Sequence, residues 1–163
     1  MKTIGFAMLA MFAVIALAGT ARAADDSAAL KGLKDGKIVY DVTEADGKGL
    51  LDRLETIDET RQSLIAQGVT PHFVLTFRGG ATRLIQSDAE KVKPDDRPFL
   101  PRIVALLAQM SKAPGVESLE QCAVAIRHQG TKAENVAPQV KVIGNSFVSL
   151  MSYQSKGYAY IRP

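Results

Sequence analysis

From residue 37 onward two hydrophobic periods alternate along this chain. Short β-branched or aromatic runs at Lys37–Val42, His72–Phe77, Val116–Leu119, Gln139–Ile143 and Tyr158–Ile161 each stand between glycine, proline or polar turns. They read as strands. The segments between them follow the helical period instead. Lys48–Gln67 is the clearest: Leu50, Leu51, Leu54, Ile57, Leu64 and Ile65 fall mostly on one side, and Arg53, Glu55, Asp58, Glu59 and Arg61 on the other. Gly68 then provides a terminating glycine. Ala81–Gln86, Arg102–Met110, Ala123–His128 and Ser146–Lys156 complete the predicted helices, and the polar stretch Ser87–Pro101 spans the longest gap. Strands separated by helices join through crossovers, which favour parallel pairing. The expected fold is therefore α/β: one domain, a mainly parallel five-stranded sheet, and helices on both faces. No internal repeat, low-complexity tract or linker divides it.

The first residues have a different logic. Lys2 precedes a nearly unbroken apolar run from Ile4 to Ala18, and Ala21-Arg22-Ala23 has the small-x-small form that signal peptidase accepts. Residues 1–23 read as a cleaved secretory signal, residues 24–36 as an N-terminal arm, and 37–163 as the α/β domain. The apolar run is shorter than the ~20 residues a bilayer span needs, so no membrane attachment is expected after cleavage. Removing 23 of 163 residues leaves 140, enough for one domain with a full core. The loss of Lys2 and Arg22 changes 20 basic against 17 acidic residues into 18 against 17. With no basic run and only 6% aromatic residues, no nucleic-acid surface is expected. The expected location is an oxidising compartment, a bacterial periplasm.

In such a compartment a chain with a single cysteine, Cys122, stands out. It lies where the third strand hands over to a helix. Unsatisfied N–H groups and the helix dipole there favour the thiolate. An odd cysteine in an exported chain points to a reactive thiol or an intermolecular bond, and the alternative is inert packing. Both stay open on sequence alone.

In open α/β sheets ligands bind beyond the carboxyl ends of the strands. That rule brings together Asp41-Val42-Thr43, Arg78-Gly79-Gly80, Cys122 and Gly144-Asn145-Ser146. Arg78 would lower a nearby thiol pKa and hold an anion, or else pair with Asp88 or Glu90 as a surface charge. Gly79 and Gly80 form either a tight turn or an anion-binding nest, without a Walker lysine or a G-x-G-x-x-G frame. Asn145 is a helix N-cap or a substrate ligand. His72 opens the second strand at the opposite edge, and His128 lies roughly 9 Å along its helix from Cys122. Neither is expected as a general base. Asp95-Asp96 reads as solvated loop. No metal-ligand spacing and no G-x-S-x-G elbow occur, so neither a metal site nor a serine hydrolase is expected.

The glycine-ended strand and helix Phe77-Arg78-Gly79-Gly80-Ala81, the cysteine after the third strand, and the ending Gly157-Tyr158-Ala159-Tyr160-Ile161-Arg162-Pro163 resemble the exported branch of the DsrE/DsrF-like family. The resemblance in element order spans 37–163. It implies a flavodoxin-like domain assembling as a homo-oligomer, a trimer or hexamer, without metal or organic cofactor. It further implies that Cys122 carries sulfane sulfur as a persulfide between donor and acceptor proteins, as a sulfur carrier or sulfurtransferase. Many relatives have His-Gly where this chain has Arg78-Gly79; an arginine stabilises an anion but does not shuttle protons at neutral pH. Two alternatives remain: a non-catalytic oligomeric binding or scaffold module with a structural Cys122, and a thiol redox sensor cycling through sulfenic acid.

Overall fold

A computed structural model describes residues 26–89 and 91–163. The expected signal, residues 1–23, lies outside the described residues. The elements run β1 (Asp35–Val42), α1 (Gly47–Ala66), β2 (Thr70–Phe77), α2 (Ala81–Leu84), a 3₁₀ helix (Pro94–Phe99), α3 (Leu100–Met110), β3 (Val116–Cys122), α4 (Ala123–Gln129), β4 (Lys141–Ile143), α5 (Ser146–Ser155) and β5 (Ala159–Ile161). All strand pairs are parallel, in the order β4-β3-β2-β1-β5. The fold is the expected α/β sheet with helices on both faces. In flavodoxin the first strand lies between the second and third; here β1 lies between β2 and β5, so the layering is shared and the strand order is not.

Several boundaries shift by a few residues, and two of the shifts matter. The arm was expected to reach residue 36, but β1 already begins at Asp35. What precedes it is a set of turns docked on the end of α1, with the Asp26 N–H donating to Gln67 Oε1 at 3.0 Å. The third strand continues past Leu119 through Glu120, Gln121 and Cys122. Its polar residues are buried because partners from distant segments meet them. Gln121 donates to Thr82 Oγ1 on one face (3.1 Å), and Glu120 accepts from the Ser149 hydroxyl on the other (2.5 Å).

The two sheet faces differ in kind. On one, Tyr40, Phe73, Leu75, Phe77 and Leu119 pack against Leu50, Leu54 and Ile57 of α1 and Ile103, Leu107 and Met110 of α3. This is the main core. On the other, Val39 and Val74 meet Leu150 of α5, flanked by Tyr153 and Tyr158. Towards the carboxyl ends that second face turns polar: Asp41, Thr76 and Glu120 are register neighbours across β1, β2 and β3, all buried. The outer side of α5 exposes Phe147, Val148 and Met151.

Asp46 caps α1, its side chain accepting from the Gly49 N–H at 2.6 Å. A second carboxylate satisfies another free donor of that end: Asp96 Oδ1 accepts from the Gly47 N–H at 2.8 Å. The expectation that Asp96 is solvated loop is thereby corrected; only 7% of it is exposed.

Candidate functional site

Because Cys122 ends β3 and is also the N-cap of α4, its side chain points to the same face as Glu120, beneath the start of α5. There Sγ accepts the backbone N–H of Ser146, the first residue of α5, at 3.3 Å. The thiol thus lies between the beginnings of two helices, not one. Burial pushes its pKa up. Hydrogen bonds from the Ser146 side chain and backbone, with those from the Ala125 and Val124 backbone, outweigh that, and the net shift is downward. The residue is 3% exposed. It lines a cleft of about 370 Å³ together with Arg78, Gly79, Asn145, Phe147 and His128.

Arg78 is held at the cleft by a bidentate pair with Asp41: Nε to Oδ1 at 2.7 Å and Nη2 to Oδ2 at 2.6 Å. Asp41 is 1% exposed and also accepts the Tyr160 hydroxyl at 2.6 Å. These contacts, led by the Asp41 hydrogen bond, raise the Arg78 pKa. The guanidinium carbon lies 5.1 Å from the centroid of the Phe147 ring, within cation–π range. Pairing with Asp88 or Glu90 was the expected surface alternative. The partner is Asp41, placed by the β1–β2 register, so much of the charge is neutralised before any ligand arrives.

The other predicted residues divide. Gly79 lines the cleft and adopts φ +57°, a conformation that favours glycine. Gly80 does not line it. It precedes α2 in ordinary helical geometry, and a Cβ there would come 2.2 Å from Ala45 Cβ, so this glycine allows a close approach of two loops. Asn145 is the N-cap of α5, its Oδ1 accepting from the Phe147 N–H at 2.9 Å, while the residue also forms part of the cleft wall. Ser146 stands at the cleft as the carboxyl-end rule expects, whereas Phe147 was not foreseen and His128 was set aside. His128 lies far from Cys122 along the α4 axis, but the cleft runs beside that helix and reaches its last turn. His72 is at the amino edge as expected, bonded to Glu117 Oε1 (2.8 Å) and Asp35 Oδ1 (3.2 Å).

Chemically, the arrangement offers a thiol whose ionised form is favoured, at the wall of a cleft shared with a largely neutralised cation and an aromatic ring. Among the described residues no group of three or more His, Cys, Asp or Glu side chains is placed to hold a metal ion. No described helix is long and apolar enough to cross a membrane.

No family model matches the chain. Over 125 residues, 77% of the chain, it is 26% identical to an uncharacterized protein of Aquifex aeolicus (strain VF5), and the match spans 55% of that relative, about half its length. The solved structure of a protein of unknown function from Methanobacterium thermoautotrophicum has a TM-score of 0.60 at 18% identity, over 79% of this chain and 100% of the other. What this chain shares with that structure is the α/β fold.

Proposed function

We propose that this is a sulfur-handling protein in which Cys122 takes up sulfane sulfur as a persulfide and passes it to a partner thiol. The observation that carries the reading is the Ser146 N–H on Cys122 Sγ, at 3.3 Å, at the base of the cleft. A thiolate held this way is populated at lower pH and is a better leaving group. In the first step the Cys122 thiolate attacks the outer sulfur of a donor persulfide R–S–SH. The Cys122 S–S bond forms, the donor S–S bond breaks, and R–S⁻ departs with the electron pair while the outer sulfur keeps its proton. A partner thiolate reverses the geometry: it attacks that outer sulfur, and Cys122 leaves as the thiolate that the two helix beginnings stabilise. No metal or organic cofactor enters. The DsrE/DsrF-like resemblance implies the same chemistry, and with it a periplasmic location and a homo-oligomer. The exposed Phe147, Val148 and Met151 on α5 support assembly, since such a row is an apolar surface available for burial.

The 3% exposure of Cys122 favours a second reading, a non-catalytic binding module in which the cysteine is packing. Intact mass before and after polysulfide, beside Cys122→Ser, separates the two. Sulfur carriage predicts a reductant-reversible gain of one sulfur that the variant lacks. It also predicts native alkylation by iodoacetamide with a pH midpoint below that of a free thiol, the direction of the Cys122 shift. No sulfur gain, with no alkylation until the chain unfolds, refutes carriage and leaves the binding module.

A further inference from the structure

A second cavity of about 260 Å³ lies beside the thiol cleft and shares Gln129 with it. Its walls include Arg83 of α2, Lys93, Asp96, Leu84 and Val92. Arg83 Nε is buried and has no hydrogen-bond partner, and among the described residues its guanidinium makes no ion pair. Native proteins seldom leave such a donor unsatisfied. Nε itself is closed off, so the groups an acceptor in the cavity would meet are the outer Nη nitrogens of the same guanidinium, which make no hydrogen bond among the described residues.

We infer that this cavity is a binding site for a small carboxylate with a short apolar tail. The planar guanidinium fork of Arg83 matches a carboxylate, and the exposed Lys93 adds a second positive charge from the 3₁₀-helix side. Asp96 faces the same space, but its Oδ1 is committed to the Gly47 N–H at 2.8 Å. Among the described lining residues, two cations against one carboxylate leave a single net positive charge. That complements a monoanion and penalises sulfate or phosphate dianions. Leu84 and Val92 are buried apolar walls suited to an alkyl tail, and they strengthen the charge pairing by excluding water. The site stands apart from the thiol chemistry: none of its charged groups touches Cys122.

The test is thermal unfolding and titration calorimetry with sodium acetate, butyrate, sulfate and phosphate at pH 7.5, ionic strength held constant with sodium chloride. Wild type is expected to show saturable binding of acetate and tighter binding of butyrate. Arg83→Gln should weaken both by about tenfold or more, the loss of a charge-assisted pair. Cys122→Ser should bind as wild type does, so this result stands or falls separately from persulfide formation. Should Arg83→Gln fail to fold, Lys93→Gln at an exposed position is expected to weaken binding severalfold. Absence of saturation, affinity unchanged in these variants, or sulfate or phosphate binding more tightly than the carboxylates would each overturn the assignment.

Discussion

Replacing Asp41 with alanine tests whether the Arg78–Asp41–Tyr160 network is the brace of the thiol cleft. Asp41 is 1% exposed, and the substitution removes three acceptor contacts of 2.6–2.7 Å at once. Breaking a buried ion pair from one side costs about 3–5 kcal/mol, because the partner charge stays desolvated. The Arg78 side chain is 24% exposed, so some water reaches it and the lower end applies, about 3 kcal/mol. For a domain of this size that lowers Tm by roughly 10 °C. Urea unfolding monitored by circular dichroism measures it, and a double-mutant cycle isolates the network. Tyr160→Phe should cost about 1 kcal/mol in wild type and close to nothing once Asp41 is gone. A loss under about 1 kcal/mol in Asp41→Ala, or an unchanged Tyr160→Phe cost in that background, refutes the reasoning.

The hydrogen bond to Glu117, aided by Asp35, raises the His72 pKa above the ordinary histidine value of 6.5 despite partial burial. Its contribution is therefore complete below the unfolded value and is lost as pH rises through the folded one. The stability advantage of wild type over His72→Gln, read as urea midpoints from about pH 6 to pH 9, should shrink with pH; a constant difference would count against the cluster. The paired glycines should respond differently to alanine. Gly80→Ala places a Cβ 2.2 Å from Ala45 Cβ and 2.6 Å from its Cα, so about 2 kcal/mol or more is expected from the forced shift. Gly79→Ala meets nothing closer than 3.8 Å and should lose only about 1–2 kcal/mol to its φ of +57°. Equal losses in chemical denaturation would show that the two glycines are not doing different jobs.

The sheet was legible because β-branched runs and their turn residues are local signals. The expected strands and helices have counterparts at nearly the same places, and the carboxyl-end rule brought Arg78, Gly79, Cys122 and Asn145 to one cleft. What was illegible depends on partners far along the chain. Glu120 and Gln121 look like the end of a strand until Ser149 and Thr82 supply a hydrogen-bond partner to each. Asp96 looks solvated until Gly47, 49 residues earlier, donates to it. Arg78 was expected to face the thiol or to pair with the nearby Asp88 or Glu90, because Asp41, its partner, lies 37 residues away on β1. The Ser146 N–H on Cys122 belongs to the same class, since the sequence locates only the helix that directly follows the cysteine.

The position of β5 also sets an order of events in folding. Strands β1 to β4 pair with neighbours in sequence order, so each of those pairings closes through a single crossover. The other edge of β1 receives β5, and the Tyr160–Asp41 bond closes a loop of 119 residues. This pairing must therefore wait until nearly the whole domain is available, and long-range closure of this kind is the slow class of contact formation. Until it occurs, β1 carries a row of unpaired backbone groups, the sort of edge that recruits another chain. The contact that completes the Asp41 network is thus also the one that ends the interval in which this domain is most exposed to misassembly.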